Sequence, residues 1–285
     1  NDIRRALKHM LRQTLQQLAE RALALLPEPE TPVDWNATLV ARWQRDGQQH
    51  GQLRAMTPRL DQRFEDLIGV ERQTREFCAN LELFLRGLPA NATLLWGARG
   101  TGKSSMVRAA LQKYHETGLR IVEVDKTHLS DLPAIVDRIR RTPFYFLIYC
   151  DDLTFEDGER AYAGLKTVLD GTLEEFGSNV LVVCTSNRRH LVAEPAAENL
   201  DAKVVNGEIH QGDAIEERIS LSDRFGLWLS FYQYPQETYL AIVKHWYQQL
   251  GQSLDLPPFD DAMAVAANRF AIARGGRGGR VARQF

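Results

Sequence analysis

Cysteine is scarce in this sequence, with three in 285 residues, at Cys78, Cys150 and Cys184. Spaced so widely, they exclude a disulfide-stapled scaffold and a clustered-thiolate metal site, and they fit a reducing compartment. Neither sign of charge dominates. Lys and Arg number 35 against 37 Asp and Glu, a net charge of −2. That excludes a polycationic nucleic-acid coat and argues against non-specific DNA affinity, while leaving room for a local basic face. Long apolar runs are missing too. The longest, Phe144 to Cys150, falls far short of the roughly 20 residues a membrane-spanning helix needs. No basic-then-apolar leader with a cleavage site is present in the sequence read, which opens at Asn1 rather than Met. The expected compartment is cytoplasmic. The histidines show no H-E-x-x-H spacing, no serine has partners for a triad, and no internal repeat occurs.

What is present is an ordinary globular composition, 44% hydrophobic and 25% charged, enough for a sizeable core. Ile3, Leu7, Met10, Leu11, Leu15, Leu18, Ala22 and Leu25 recur at helical spacing and predict one helix over residues 2–26. It either packs on its own protein or serves as a docking helix. Pro27, Pro29 and Pro32 end it, and residues 27–34 read as a linker. Residues 35–54 read as a second helix ending near Pro58. From about Arg63, short apolar β-rich runs alternate with helical segments. Strands are expected at 93–96, 119–124, 145–150, 180–184 and 227–231, and helices at 103–116, 132–141 and 159–176. That alternation predicts an α/β fold, a mainly parallel sheet with helices on both faces. After Pro235 only helices are expected, at 236–250, 260–273 and from about Gly279. Three parts follow: an N-terminal helical region (1–58), an α/β core (59–234) and a C-terminal helical lid (235–285).

The most specific signal is Gly97-Ala98-Arg99-Gly100-Thr101-Gly102-Lys103-Ser104, which satisfies G-x-x-x-x-G-K-[ST] between a predicted strand and a predicted helix. Glycines let the backbone wrap closely, so that successive N–H groups point at phosphate oxygens, and the helix N-terminus adds partial positive charge. Lys103 is expected on the β- and γ-phosphates and Ser104 on Mg²⁺. A second site stands at the end of the apolar run Phe144–Cys150, where Asp151 and Asp152 follow. Parallel strands put their C-terminal ends beside the ligand, so Asp151 is expected to hold Mg²⁺ and Asp152 to act as general base on water. A turn after a strand, which Asp favours, is the plainer reading. Asn187 ends the run Val180–Ser186 and would orient water or touch the γ-phosphate. Arg224 is the candidate for a guanidinium acting in trans on a neighbouring subunit, with Arg218 as its substitute and an ion pair with Asp223 or Glu217 as the alternative.

Residues 269–285 carry five arginines and no acid. Either they form an RGG-type RNA-binding tail, or Gly275–Gly279 is a hinge before a helix whose Arg280 faces the γ-phosphate. The second reading is favoured, because two RGG copies make a poor disordered tract. Phe64–Val70, Ile68 among them, would form one wall of an adenine pocket, or simply a linker meeting a helix.

With these motifs the chain resembles the AAA+ ATPases over roughly residues 60–285. Gly97–Ser104 corresponds to their Walker A, Cys150-Asp151-Asp152 to Walker B, Asn187 to sensor 1, Arg224 to the arginine finger and Arg280 to sensor 2. Gly-Ala-Arg-Gly-Thr-Gly-Lys-Ser-Ser, which extends the loop to Ser105, is one of four runs that look like a bacterial family catalogued as domain of unknown function eight-fifteen. The others are Thr-Ser-Asn-Arg-Arg-His-Leu, Ser-Asp-Arg-Phe-Gly-Leu-Trp-Leu-Ser-Phe and Gly-Arg-Val-Ala-Arg-Gln-Phe. The resemblance implies ATP binding, Mg²⁺, hydrolysis and assembly of a homo-oligomer into a ring or partial ring; it implies no client, and the expected partner is an unknown protein. Two alternatives stay open: a P-loop kinase for a small molecule, and a nucleotide-gated binding module with negligible hydrolysis.

Overall fold

Among the described residues, seven strands make one sheet, in the order β2-β1-β4-β5-β6-β3-β7. They are β1 (Val40–Asp46), β2 (His50–Met56), β3 (Thr93–Gly97), β4 (Leu119–Glu123), β5 (Tyr145–Cys150), β6 (Val180–Ser186) and β7 (Leu227–Phe231). Every pairing is parallel except that of β1 with β2. The computed structural model describes residues 32–46, 50–153, 159–170, 178–187, 224–251 and 256–285. The helix expected over 2–26, most of the linker after it, the segment 213–217 and Arg218 all lie outside the described residues.

The parallel strands read as apolar runs because both faces of the sheet are covered. Along β5, Phe146, Leu147, Ile148 and Cys150 are each 1% exposed or less. Alternate residues go to opposite layers. Leu147, Tyr149, Leu181 and Val183 pack on one side with Met106 and Val107 of α2 (Lys103–Tyr114) and with Phe77 and Leu81 of α1 (Glu71–Leu85). Phe146, Ile148, Cys150 and Cys184 pack on the other with Leu132, Ile135 and Ile139 of α3 (Leu132–Ile139) and Leu165 of α4 (Glu159–Asp170). The strands expected at 145–150 and 227–231 run between those same residues.

One expectation fails. Residues 35–54 do not form a helix: a turn at 35–37 leads into the antiparallel hairpin β1–β2. β1 joins β4 in parallel, so the sheet reaches N-terminal to residue 59, where the sequence reading began the core. The physical reason is a period of two. Ala41 and Trp43 are buried against the sheet, while Arg42 between them reaches Glu123 of β4 at 2.9 Å. The Trp43 indole donates to Asp131 Oδ2 at 2.8 Å, and Arg45 pairs with the same carboxylate. Gly51 is required by close approach, since a Cβ there would lie 2.0 Å from the Trp43 ring.

Among the described residues, three helices follow the sheet: α5 (Gln236–Gly251), α6 (Asp261–Ala273) and α7 (Gly279–Gln284). Tyr239 of α5 donates to Ala267 O of α6 at 3.1 Å. His245 of α5 meets Asp66 Oδ1 at 2.9 Å, fixing this helical group to the 3₁₀ turn Phe64–Asp66.

Candidate functional site

The C-terminal ends of β3, β5 and β6 lie side by side, and each opens into polar residues. β3 stops at Gly97, which has φ +128. A Cβ there would stand 1.9 Å from Phe231 O of β7, so only glycine lets the chain leave the strand at this point. Ala98 N–H still donates to Phe231 O at 2.9 Å. The loop then turns through Gly100 (φ +74) and Gly102 (φ +103) into α2. Thr101 is buried and closes the loop by donating to Ala98 O at 2.7 Å. Among the described residues, no acceptor meets the backbone N–H groups of Arg99 to Ser105, and the first bond of α2 runs from Met106 N to Gly102 O at 2.9 Å. These are the free amides of a helix start.

Lys103 is only 6% exposed. Its Nζ donates to Gly97 O and Ala98 O, each at 2.8 Å, and to Asn187 Oδ1 at 3.0 Å. Burial pushes its pKa down to about 8 against the opposing pull of Asp151 and Asp152, and the charges of Arg99 and Arg280 lower it further. Asp151 collects hydroxyls on one oxygen. Its Oδ1 accepts from Ser104 Oγ at 3.2 Å, Tyr149 OH at 2.8 Å and Thr185 Oγ1 at 2.5 Å. Burial and the adjacent Asp151 charge push the Tyr149 phenol up, which keeps it a donor. Asp152 has φ +55, the left-handed region, and is the one non-glycine residue with positive φ among the described residues. Its N–H donates to Thr185 Oγ1 at 2.9 Å, and its Oδ1 accepts from Asn187 Nδ2.

The helical group closes the other side. Arg280 N–H donates to Gly100 O at 3.3 Å, and a Cβ on Gly278 or Gly279 would lie 3.2 or 3.3 Å from that same oxygen. Gly278 and Gly279 thus let α7 sit on the loop. Tyr234, whose phenol is pushed up to about 12 by burial, donates to Thr101 O at 2.6 Å.

Together these elements enclose a cavity of about 480 Å³, within the range of small-molecule sites. Of the residues expected at a ligand, Ile68, Arg99, Gly100, Gly102, Lys103, Ser104, Ser105, Asp151, Asp152, Asn187 and Arg280 line it. Gly97, Ala98 and Thr101 shape the loop from behind. Arg224 stands apart: its Nε pairs with Asp170 at the end of α4, a partner the sequence reading did not name. Reading the sequence also missed Tyr149, Thr185, Tyr234, Trp246, Arg108 and Arg283. Helical spacing was the available signal for some of them. Arg108 falls one turn after Ser104, and Arg283 one turn after Arg280. The Arg283 guanidinium lies over the Trp246 ring at 4.6 Å.

Five cations (Arg99, Lys103, Arg108, Arg280, Arg283) face three acids (Asp66, Asp151, Asp152) across this cavity. A glycine-rich loop at the C-terminal end of a mainly parallel sheet, with a C-terminal helical group packed on it, is the arrangement of a P-loop fold of the AAA+ type. Residues 36–285 match the family described as "Protein of unknown function (DUF815)", and the chain belongs to that family. The family resemblance read in the sequence therefore holds. Among solved structures, the RuvB Holliday junction branch migration motor of Thermotoga maritima is similar at a TM-score of 0.51 and 16% identity, over 78% of this chain and 62% of that one. A single-substitution variant of that motor gives 0.52 with the same identity and coverage. The ORC1 protein of Aeropyrum pernix, solved in complex with DNA, gives 0.51 at 16% identity, over 76% of this chain and 58% of that one. At such identity the likeness is one of fold. The chain spans about three fifths of the length of these structures. No curated protein matches it. Among the described residues no helix is long and apolar enough to cross a membrane.

Proposed function

We propose that this protein binds ATP with Mg²⁺ and hydrolyses it to ADP and phosphate, using the cycle to remodel or regulate a partner protein. The observation that carries the reading is the convergence of Lys103, Ser104, Asp151, Asp152 and Asn187 on one cation-rich cavity. The donor set also fits the metal: Ser104 Oγ and the Asp151 carboxylate are hard oxygen ligands 3.2 Å apart. They would hold Mg²⁺, which when bound supplies charge neutralisation on the phosphate oxygens.

Lys103 and the free amides of Gly100 to Ser104 would bind the β- and γ-phosphates. Asp152 would accept a proton from water as the water oxygen bonds to the γ-phosphorus and the bond to the ADP oxygen breaks. Asn187, already bonded to Asp152, would fix that carboxylate and the water. Ile68, with Ile242 and Trp246 of α5, offers the apolar surface for the base. Arg280 would face the terminal phosphate from α7, so loss of that phosphate would loosen α7 from the loop. Arg224, in a homo-oligomer, would release Asp170 and reach a neighbour's site. RuvB and ORC1 suggest that nucleic acid belongs among the partners to test, although the net charge of −2 gives no support.

The test is calorimetry with ADP and Mg²⁺ alongside phosphate-release assays on the intact chain, Lys103→Ala and Asp152→Asn. The reading expects Lys103→Ala to abolish binding heat and Asp152→Asn to bind normally without turnover. Turnover per subunit should rise with protein concentration, and Arg224→Ala should flatten that rise. A rate that is already negligible and unchanged in Asp152→Asn would make the protein a nucleotide-gated module instead.

A further inference from the structure

Tyr149 is the one residue of β5 whose side chain ends in a hydroxyl placed at the acidic strand end. It is 8% exposed, in a strand where phenylalanine would satisfy the packing. Residues 149 and 151 point to the same face, because side chains two apart on a strand do. The register of β5 with β6, Tyr149 against Val183 and Cys150 against Cys184, brings Thr185 beside Asp151 on that face. Two hydroxyls from two neighbouring strands thus bind a single oxygen, Asp151 Oδ1, at 2.8 and 2.5 Å. The other oxygen, Oδ2, accepts no hydrogen bond from the described residues. Ser104 also donates to Oδ1, at 3.2 Å, and is the longest of the three bonds. Ser104 Oγ keeps its lone pairs for a cation while its hydrogen goes to Oδ1, and the bonds from Tyr149 and Thr185 hold that oxygen independently of it.

We infer that Tyr149 is a positioning residue which, with Thr185, fixes the Asp151 carboxylate so that Oδ2 faces the divalent cation accompanying the nucleotide. The inference rests on the proposed Mg²⁺–nucleotide reading of this cavity. Its basis is the rotational freedom of a carboxylate. An aspartate at an exposed strand end turns about χ1 and χ2, whereas one oxygen held by two hydroxyls is fixed before the cation arrives. Thr185 also accepts from the backbone N–H of Asp152 at 2.9 Å, so it ties the Asp151 carboxylate to the backbone of its neighbour.

The experiment titrates ADP into the full chain by calorimetry, once in EDTA and then across a Mg²⁺ series. Tyr149→Phe keeps the ring and removes the hydroxyl. Its ADP affinity in EDTA should equal that of the intact chain within about twofold, while the Mg²⁺ needed for half-maximal tightening rises about tenfold. Thr185→Val should behave alike, and Thr185→Ser, which restores the hydroxyl, should recover the original Mg²⁺ dependence. A lower unfolding midpoint for Tyr149→Phe with an unchanged Mg²⁺ series would overturn the inference and leave Tyr149 a packing residue. Should the intact chain bind no ADP under either condition, the proposed function itself fails, an outcome distinct from a normal Mg²⁺ response in the variant.

Discussion

Lys103 donates through Nζ to Asn187 Oδ1 over 3.0 Å, and the other end of that same carboxamide donates to Asp152. The phosphate-loop cation and the proposed base are therefore joined through one neutral side chain. Asn187→Ala should break the link while leaving the loop intact. Phosphate release is expected to fall by about 10²-fold, the scale of losing one preorganised donor, with ADP affinity changed less than about fivefold. Parallel loss of binding and turnover would show that Asn187 serves the loop rather than the reaction.

The pH dependence of binding follows from Lys103. Its charged form attracts phosphate, and burial has pushed its pKa down to about 8. Below that pH the ammonium is present in the free protein. Above it, binding must first take up a proton. ADP affinity measured in EDTA should therefore hold level up to about pH 8 and then fall, by as much as tenfold per unit. Proton uptake should appear in buffers of differing ionisation heat. Lys103→Arg, which stays charged throughout, should lose this pH dependence.

Gly97 meets two independent constraints, a φ of +128 and a Cβ position 1.9 Å from Phe231 O. Gly97→Ala should lower unfolding free energy by about 3 kcal/mol or more, the range of strained backbone combined with overpacking. Denaturant unfolding would measure it. A loss under about 1 kcal/mol would mean that β3 and β7 separate easily.

Trp43 does not line the cavity, and it is 3% exposed and bonded to Asp131. Trp43→Ala should cost about 3–5 kcal/mol of stability without altering ADP affinity in the protein that remains folded. A matched loss of affinity would tie the β1–β2 hairpin to the site.

Tyr234→Phe removes the 2.6 Å bond to Thr101 O and leaves a buried carbonyl. The expected cost is about 1–2 kcal/mol, read by thermal unfolding. Saturating ADP should narrow the difference if ligand contacts reinforce the loop.

Much of this molecule was legible from local pattern. The run Phe144–Cys150 had to be a covered strand, because seven apolar residues between polar ones are stable only with both faces packed. Gly97–Ser104 fixed the loop through its own backbone needs, the positive φ of Gly100 and Gly102 included. Asp151, Asp152 and Asn187 were expected at strand ends and Arg280 at a helix start, where such sheets carry ligands, and with Ile68 they line one cavity. The β1–β2 hairpin was readable in the alternation of Ala41, Arg42 and Trp43, yet residues of good helix propensity around it concealed a period of two. Tertiary structure alone decided which hydroxyls gather on Asp151, which carboxylate holds Arg224, and that Gly278 and Gly279 bring α7 against Gly100. Apart from Tyr149, which lies two residues from Asp151, these depend on strand register and on contacts between residues 34 to 180 positions apart. No spacing within a single segment encodes a distance between two of them.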